Sequence, residues 1–377
     1  MSNDDQRLAP LRAKIDAIDA ELLTLLSKRA KAAQEVGHIK NESSTPIFRP
    51  ERENQVIQNV LGKNSGPLLP DGIASIWREI MSACRALESR QTIAYLGPVG
   101  TFSELAAQQF FGQSIQGLPC ASLDEVFKSV EKGAADFGVV PVENSSEGAV
   151  SRTLDLLLES PLQISGEVVL PIRHHLLSKT GSLDGIKTVC AHAQALAQCQ
   201  QWLSTHAPQL QRQAVSSNAE AARMASLDNS IAAIAGDPAQ IAYGLQIISA
   251  QIQDDPNNRT RFVVIGQYAC QPCGHDQTSL VLSVSNQPGA VHHLLAPLAK
   301  HGVSMTRFES RPARKGSWEY HFYIDIEGHA EDVKVAKAID ELKTIAAFYK
   351  KLGSSRELKI KNILIKFITR QWQRKLV

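Results

Sequence analysis

Signals for a membrane or for secretion are missing from this sequence. Nowhere in its 377 residues does a stretch approach the roughly 18 consecutive apolar residues of a membrane-spanning helix. Residues 1–5 have neither the basic start nor the apolar core of a secretion signal. The six cysteines are scattered instead of forming a dense framework, which is typical of reduced thiols. We therefore expect a cytoplasmic protein without a membrane span.

Motifs for nucleotides and metals are also missing. The sequence has no G-x-G-x-x-G and no Walker lysine, so nothing in it favours a nucleotide cofactor. Cys270, Cys273 and His275 are close together but lack the second pair of ligands that a structural zinc site needs. A net charge of +2 gives no indication of a nucleic-acid partner. We expect no metal and no cofactor.

The first 90 residues have the apolar spacing of helices. Between residues 11 and 40, apolar residues recur at alternating steps of three and four, which predicts one long amphipathic helix. Pro50 stands where a first-turn proline opens a second helix through Leu61. A third helix has its apolar side within residues 73–87. The pattern predicts an all-helical domain over residues 1–90.

From residue 91 the pattern becomes an alternation of strands and helices. The strand candidates are residues 92–96, 137–140, 163–170, 187–190, 231–234 and 261–265. This alternation indicates an α/β domain over residues 91–268, which is long enough for two lobes around a cleft.

The C-terminal part predicts a small module and a tail. Residues 277–353 have the order strand, helix, strand, strand, helix, which is typical of a ferredoxin-like α+β module. Residues 350–377 hold nine Lys or Arg and one acid, Glu357. We therefore expect a basic tail over residues 354–377 and a multidomain fold class.

Cations on the first helix are candidates for an anion site. Arg29 and Lys40 are about 20° apart in azimuth and roughly 16 Å apart along the helix, so they share a face. Arg12 lies about 25 Å from Arg29, too far for both to hold one small molecule, so it would have to come from a second chain. The alternative is that all three are solvated helix charges.

Four segments of the helical domain resemble the all-helical chorismate mutases. They are LRAKID at 11–16, LSKR at 26–29, VGHIK at 36–40 and RPERE at 49–53. The resemblance implies an intertwined homodimer that rearranges chorismate to prephenate. It also implies pocket positions, which are Arg12 (from the partner chain), Arg29, Lys40, Arg52 and Glu53. No cofactor is needed, because cations orient two carboxylates and stabilise charge on the ether oxygen.

Two positions depart from the common bacterial pattern of that family. Arg49 replaces an acidic residue, and in an ungapped register Glu88 replaces a glutamine that faces the ether oxygen. Arg29, Lys40 and Glu88 are therefore the predicted catalytic residues of the mutase. The alternative for Glu88 is a solvated side chain in the last turn of a helix.

Residues 97–103, 140–148 and 260–262 resemble prephenate dehydratase, whose two lobes are similar to periplasmic binding proteins. The resemblance assigns Thr260 to the leaving hydroxyl group and Arg261 to a carboxylate of prephenate. The other pocket candidates are Thr101, Ser103, Glu143, Asn144, Ser145 and Ser217. Ser217 has a simpler interpretation as a helix cap. Ala191 departs from the family pattern, which leaves the role of its loop open.

The C-terminal module resembles the ACT domain, which binds phenylalanine between paired subunits. The implied regulatory residues are Asn286, Gly289, Ala290, Val291, Glu309, Ser310, Arg311 and Pro312. A ligand that prefers a state of low activity shifts the population toward that state, so phenylalanine is expected to inhibit.

The three resemblances occur in the order found in bifunctional chorismate mutase/prephenate dehydratases. They predict an enzyme that converts chorismate through prephenate to phenylpyruvate and is inhibited by phenylalanine. One alternative is a solute-binding sensor without catalysis, which the motif at Thr260 disfavours. Another is an enzyme in which only one catalytic domain is active, with Arg49 and Ala191 as the suspect positions.

Overall fold

The computed structural model describes residues 3–43, 48–285, 287–313 and 320–356. The chain divides into two compact units. One comprises the residues up to Gln91 together with Phe111–Gln116, and the other comprises the rest. In the described ranges, no helix combines the length and apolar character that crossing a membrane requires.

The helical unit consists of three helices, as predicted. They are α1 (Asn3–Ser43), α2 (Pro50–Lys63) and α3 (Pro70–Glu88). A proline occupies the first turn of both α2 and α3, where its missing N–H has no intrahelical acceptor to lose. The apolar side chains of α1 remain exposed: Leu11 is 58% accessible, Ile15 56% and Ile18 47%.

The second unit begins with a two-lobed domain, which confirms the predicted α/β architecture. Its strands are β1 (Thr92–Leu96), β2 (Gln116–Cys120), β3 (Phe137–Asn144), β4 (Gly148–Ala149), β5 (Gln163–Pro171), β6 (His175–Ser178), β7 (Thr188–His192), β8 (Gln211–Val215), β9 (Ile231–Ala235), β10 (Gln246–Ser249) and β11 (Arg259–Gly266). Its helices are α4 (Phe102–Phe111), α5 (Leu123–Glu131), α6 (Ser151–Glu159), α7 (Ala193–Gln198), α8 (Gln200–His206), α9 (Asn218–Leu227) and α10 (Asp237–Tyr243).

Each lobe is built on its own sheet. The first sheet has the order β2-β1-β3-β11-β5, with β4 beside β3, and the second has the order β10-β6-β9-β7-β8. The chain leaves the first lobe after β5 and returns in β11, which runs antiparallel between β3 and β5. The ends of β3 and β11 therefore lie where the two lobes meet. The sequence did not indicate β2, β4, β6, β8 and β10, which are short.

The C-terminal module confirms the ferredoxin-like prediction and adds a strand to it. Its elements are β12 (Asp276–Ser283), α11 (Ala290–Lys300), β13 (Met305–Pro312), β14 (Tyr320–Glu327), α12 (Val333–Ile345) and β15 (Phe348–Arg356), and the sheet order is β13-β14-β12-β15. Aliphatic side chains from the sheet and both helices form its core.

The final strand corrects the expectation that a tail begins at residue 354. Ser354 and Ser355 are buried, and both pair with β12. The Ser354 hydroxyl lies 2.9 Å from the Thr278 hydroxyl. This hydrogen bond replaces those to water that the Ser354 hydroxyl loses on burial. A Cβ atom at Gly353 would lie 2.3 Å from the carbonyl oxygen of Ile164, so β15 approaches β5 more closely than any side chain permits. Residues 357–377 lie outside the described residues.

Candidate active sites

Two of the predicted mutase residues meet in the helical unit. Lys40 Nζ lies 3.2 Å from Glu88 Oε2, and their side chains are 23% and 9% accessible. A Cβ atom at Gly37 would lie 2.9 Å from Glu88 Cβ, so the absence of a side chain allows α1 and α3 to approach each other here. The pair combines a cation with a carboxyl group at the end of α3.

Glu53, another predicted pocket residue, forms an ion pair with Arg85 of α3. Burial raises the pKa of Glu53, although Arg85 and the nearby charges of Arg78 and Arg29 oppose this shift. Arg29 is thus part of the same cluster of charges. Arg85 was not anticipated from the sequence, although it is a cation between the apolar positions of α3, where an anionic partner is needed.

The single chain does not bring the other two predicted mutase residues into this cluster. Arg12 lies on an exposed part of α1, about 25 Å along the axis from Arg29. Arg52 Nη1 donates a hydrogen bond to Gln55 Oε1 at 2.8 Å on α2. Arg49 pairs with Glu51 at 2.7 Å.

A cavity of about 290 Å³ lies between the two lobes of the second unit. The polar side chains that line it come from both lobes: Thr101, Ser103, Asn144, His174, His192, Gln194, Gln198, Ser216, Ser217, Asn218 and Thr260. Among the described residues, its lining includes no Asp, Glu, Lys or Arg. An anionic ligand in this cavity must therefore be bound by hydrogen bonds and helix dipoles.

Thr260 and Asn144 form the central contact of this cavity. They are opposite each other in the register of β11 and β3, and both are about 9% accessible. Asn144 Nδ2 donates to Thr260 Oγ1 at 2.8 Å. The Ser146 backbone N–H donates to Asn144 Oδ1 at 3.0 Å, and this fixes the orientation of the amide because a backbone N–H cannot accept. The hydrogen of the Thr260 hydroxyl therefore remains available for a ligand.

The hydrogen bonds that begin at this contact continue through three more side chains, and each has a defined donor and acceptor. Asn144 Nδ2 also donates to Asn258 Oδ1 at 3.0 Å, and Asn258 Nδ2 donates to Gln198 Oε1 at 3.1 Å. His174 Nε2 lies 3.1 Å from the same Gln198 oxygen and must therefore donate to it. Burial lowers the pKa of His174, which keeps the ring neutral.

Helix starts supply the remaining polar wall of the cavity. Thr101 precedes α4, and its Oγ1 accepts from the Glu104 backbone N–H at 3.4 Å. Ser217 precedes α9 and accepts from the Glu220 N–H at 3.0 Å, so the interpretation as a helix cap is confirmed. Ser103 lies in the first turn of α4. The positive ends of two ten-residue helices thus reach the cavity.

The structure corrects three of the predicted dehydratase positions. Arg261 follows Thr260 on β11 and therefore faces the opposite side of the sheet, where it pairs with Glu167 at 2.6 Å and Asp325 at 2.7 Å. Glu143 lies on that same side and pairs with Arg307 at 2.8 Å. The Ser145 hydroxyl accepts from the Arg259 backbone N–H at 2.9 Å. None of the three corrected residues, Arg261, Glu143 and Ser145, lines the cavity.

Several cavity residues were not anticipated from the sequence. His174 and Gln198 line the cavity, and Asn258 bonds Gln198 without lining it. The three residues are far apart in the chain, and no local pattern connects them. His192 and Gln194 follow Ala191, the position that departs from the family pattern. Both nevertheless line the cavity. That loop therefore contributes to the site in spite of the substitution.

A second cavity, of about 260 Å³, lies in the C-terminal module. Gly289, Ala290 and Val291, three of the predicted regulatory residues, line it, and Gly289 has a positive φ of 77° at the start of α11. Asn286 lies outside the described residues. The predicted residues on β13, Glu309, Ser310, Arg311 and Pro312, are not part of its lining in the single chain. Arg311 instead pairs with Asp155 at 3.6 Å.

The candidate metal ligands do not gather into a site. Within the part of the chain that the structure describes, no group of three or more His, Cys, Asp or Glu side chains could hold a metal ion. The Cys273 thiol lies 3.0 Å from Asp276 Oδ1, and burial raises the pKa of this thiol to about 11.

Comparisons with known proteins match all three parts of the chain. Family models match at residues 11–89 (chorismate mutase type II), 93–269 (prephenate dehydratase) and 278–344 (ACT domain). A bifunctional chorismate mutase/prephenate dehydratase of Neisseria gonorrhoeae is 49% identical over 353 residues, which cover 93% of this chain and 97% of the relative.

Two solved structures are similar to the second unit. The prephenate dehydratase from Arthrobacter aurescens in complex with L-Phe is 31% identical with a TM-score of 0.66, covering 76% of this chain and 99% of that one. The structure of GqqA, described as a novel type of quorum quenching acylases, is 30% identical with a TM-score of 0.65, covering 71% of this chain and 99% of that one.

Proposed function

Because the chain belongs to the family of bifunctional chorismate mutase/prephenate dehydratases, we propose that it converts chorismate to prephenate in the helical unit and prephenate to phenylpyruvate in the two-lobed domain. Phenylalanine, formed from that product, binds the ACT module and inhibits. The single observation that best supports the second activity is the oriented Thr260–Asn144 contact in the cavity between the lobes.

The mutase reaction needs a clamp for two carboxylates and a cation near the breaking ether bond. Lys40 and Arg29 supply the cations, and Glu88 lies against Lys40 at 3.2 Å. Holding the substrate in its reactive conformer lowers the barrier without a nucleophile or a cofactor. Glu53 belongs to the same charge cluster, where Arg85 fixes its carboxylate. Arg52 bonds Gln55 in the single chain and would have to turn from it to join them.

The mutase site is complete only in a homodimer. The apolar side chains along α1 are about half exposed in the single chain, and such a stripe needs a partner. A second copy that packs along α1 would cover these side chains and bring its Arg12 to the charge cluster. The enzyme acts in the cytoplasm, where its thiols remain reduced.

In the dehydratase reaction, Thr260 donates a hydrogen bond to the departing hydroxyl of prephenate. The ring C–O bond breaks, and the hydroxyl leaves as water with the proton that Thr260 donates, which solvent then replaces on Thr260. The bond to the ring carboxylate also breaks, carbon dioxide leaves, and its electron pair completes the aromatic ring. Asn144 orients Thr260, while the hydroxyls of Ser103 and Ser217 hold the carboxylates together with the ends of α4 and α9. The Thr101 hydroxyl donates to the Leu96 carbonyl and so shapes the start of α4.

The alternatives do not account for the site as well. A sensor without catalysis has no need of a hydroxyl whose hydrogen is reserved for the ligand. Acyl transfer, the activity for which the similar structure of GqqA is named, requires a base that accepts the proton of the nucleophile. The contact on Thr260 comes from a donor instead, so acyl transfer is not part of the proposal.

Turnover of chorismate by the purified full chain tests the proposal. Prephenate and phenylpyruvate should both form, and phenylalanine should slow formation of the second. Thr260→Ala should abolish phenylpyruvate formation and leave the mutase reaction intact. Loss of both activities in this variant would contradict two separate sites, and prephenate without phenylpyruvate in the wild-type chain would leave only one active domain.

A further inference from the structure

Each residue of the Thr260–Asn144 contact has a charged neighbour on the other face of the sheet. Arg261 follows Thr260 on β11, and Glu143 precedes Asn144 on β3. The register of the two strands places Arg261 opposite Glu143, just as it places Thr260 opposite Asn144. Because side chains alternate along a strand, one pair faces the cavity and the other faces the ACT module.

The ACT module presents a matching pair of charges. Arg307 on β13 is opposite Asp325 on β14 in the register of that sheet. Arg261 Nη1 lies 2.7 Å from Asp325 Oδ2, and Arg307 Nε lies 2.8 Å from Glu143 Oε2. A cation therefore meets an anion at both positions. We refer to Arg261, Glu143, Arg307 and Asp325 as the ionic quartet.

The ionic quartet is held firmly on both sides. Arg261 Nη2 also pairs with Glu167 at 2.6 Å, and Asp325 Oδ1 accepts from the Ser279 hydroxyl at 2.6 Å. The side chains of Arg261, Arg307 and Asp325 are only 15%, 14% and 6% accessible, whereas that of Glu143 is 40% accessible, so each pair contains at least one buried charge. Separating such pairs leaves a buried charge without its partner, which is costly. The four residues should therefore move together.

Strand β14 connects the ionic quartet to the ACT cavity. Phe322 lines that cavity, and Asp325 is three residues further along the same strand, about 10 Å away. Arg307 is paired to the same strand. A ligand in the cavity that displaces β14 must displace Asp325 and Arg307, and with them the strands that carry Thr260 and Asn144.

We propose that the ionic quartet is the connection through which phenylalanine in the ACT module controls the dehydratase cavity. Arg261 and Glu143 act in it as positioning residues for Thr260 and Asn144, not as ligands of the substrate. The inference rests on the proposed function, because it requires dehydratase turnover and its inhibition by phenylalanine.

The variants Arg307→Gln and Asp325→Asn test this proposal in the full chain. Three quantities are measured: prephenate turnover without phenylalanine, phenylalanine affinity by calorimetry, and turnover at saturating phenylalanine. We expect phenylalanine affinity to change by less than about threefold, while inhibition falls from the roughly 5- to 150-fold range of allosteric coupling to about twofold or less. Arg307→Lys keeps the charge and should retain most of the inhibition.

Lys350→Met is the matched control. Its Nζ donates to the carbonyls of Leu157, Leu158 and Ser160 at 2.9, 2.8 and 2.6 Å, so it also joins the ACT module to the two-lobed domain. These three carbonyls lie at the end of α6 and not on β3 or β11, so the variant should remain inhibited like the wild type.

Three results would overturn the proposal while the proposed function stands, and the first two concern inhibition. One is wild-type inhibition in both Arg307→Gln and Asp325→Asn, and the other is an equal loss in Lys350→Met. Loss of phenylalanine binding in the variants would also overturn it, since it would place them in the effector site. If Arg307→Gln fails to fold, the inhibition by phenylalanine is compared between Asp325→Asn and Lys350→Met. The proposal then requires that inhibition is lost in Asp325→Asn and kept in Lys350→Met. A wild-type chain that binds phenylalanine without inhibition would refute the regulation itself.

Discussion

Replacing Asn144 with aspartate should reverse the hydrogen bond on Thr260 with almost no change in shape. One carboxylate oxygen still accepts from the Ser146 N–H. The other lies where the Nδ2 atom stood, 2.8 Å from Thr260 Oγ1 and 3.0 Å from Asn258 Oδ1. The Thr260 hydroxyl must then donate to this carboxylate, so its hydrogen is withdrawn from the substrate.

The expected loss follows from the role of that hydrogen. Proton donation to a leaving group contributes typically 10²- to 10⁴-fold, so kcat for the dehydratase should fall by about that factor, or roughly 3 to 5 kcal/mol. Gln194→Glu adds the same charge to the same cavity, so it should raise KM for the dianionic substrate and largely preserve kcat. Steady-state kinetics on prephenate distinguishes the two variants, and mutase turnover should be normal in both.

The comparison of the two variants decides whether the direction of the Thr260 hydrogen bond or the added charge determines kcat. If kcat falls equally in Asn144→Asp and Gln194→Glu, added charge explains the loss and the orientation of Thr260 is irrelevant. If Asn144→Asp retains wild-type kcat, Thr260 does not act as a hydrogen-bond donor in the reaction.

Three further predictions concern other parts of the molecule. Glu88→Ala removes an anionic partner of Lys40 and should lower mutase turnover at least tenfold, whereas Glu88→Gln should retain it. Wild-type turnover of Glu88→Ala in a chorismate assay would remove Glu88 from the site. Ile18→Glu places a charge in the exposed apolar stripe of α1 and should abolish mutase but not dehydratase turnover; full mutase turnover would show that α1 needs no partner. Burial lowers the pKa of His174 below the ordinary histidine value of about 6.5. As the pH falls through that value, the unfolded chain therefore binds more protons than the folded chain. The free energy of unfolding should then decrease on acidification. The Tm measured between pH 7 and 5 should depend less on pH in His174→Gln, and an unchanged slope would contradict this.

The sequence predicted the three parts of the chain, and it singled out Thr260, which lines the cavity between the two lobes. Helical periodicity and prolines defined α1, α2 and α3 because local patterns determine them. Thr260 was identified through a local motif. His174, Gln198 and Asn258 escaped notice, because only the meeting of the two lobes brings them together.

The sequence itself contained the information that Arg261 does not line the same cavity as Thr260. Thr260 and Arg261 are adjacent in a strand, and side chains in a strand alternate between faces, so both cannot line one cavity. The missed strand β15 had no such signal. Ser354 and Ser355 are polar, and only their hydrogen bonds and pairing within the module explain why they are buried.

The cavity between the two lobes has no Asp, Glu, Lys or Arg in its described lining, and this has a consequence for competing solutes. Lysine and arginine clusters attract any anion, and their attraction weakens as salt screens it. Fixed dipoles and amide groups act only over short distances and in set directions, so they favour a molecule whose carboxylates fit the spacing of α4 and α9. Inorganic phosphate and sulfate should therefore compete poorly with prephenate, and turnover should tolerate changes in the ionic strength of its surroundings.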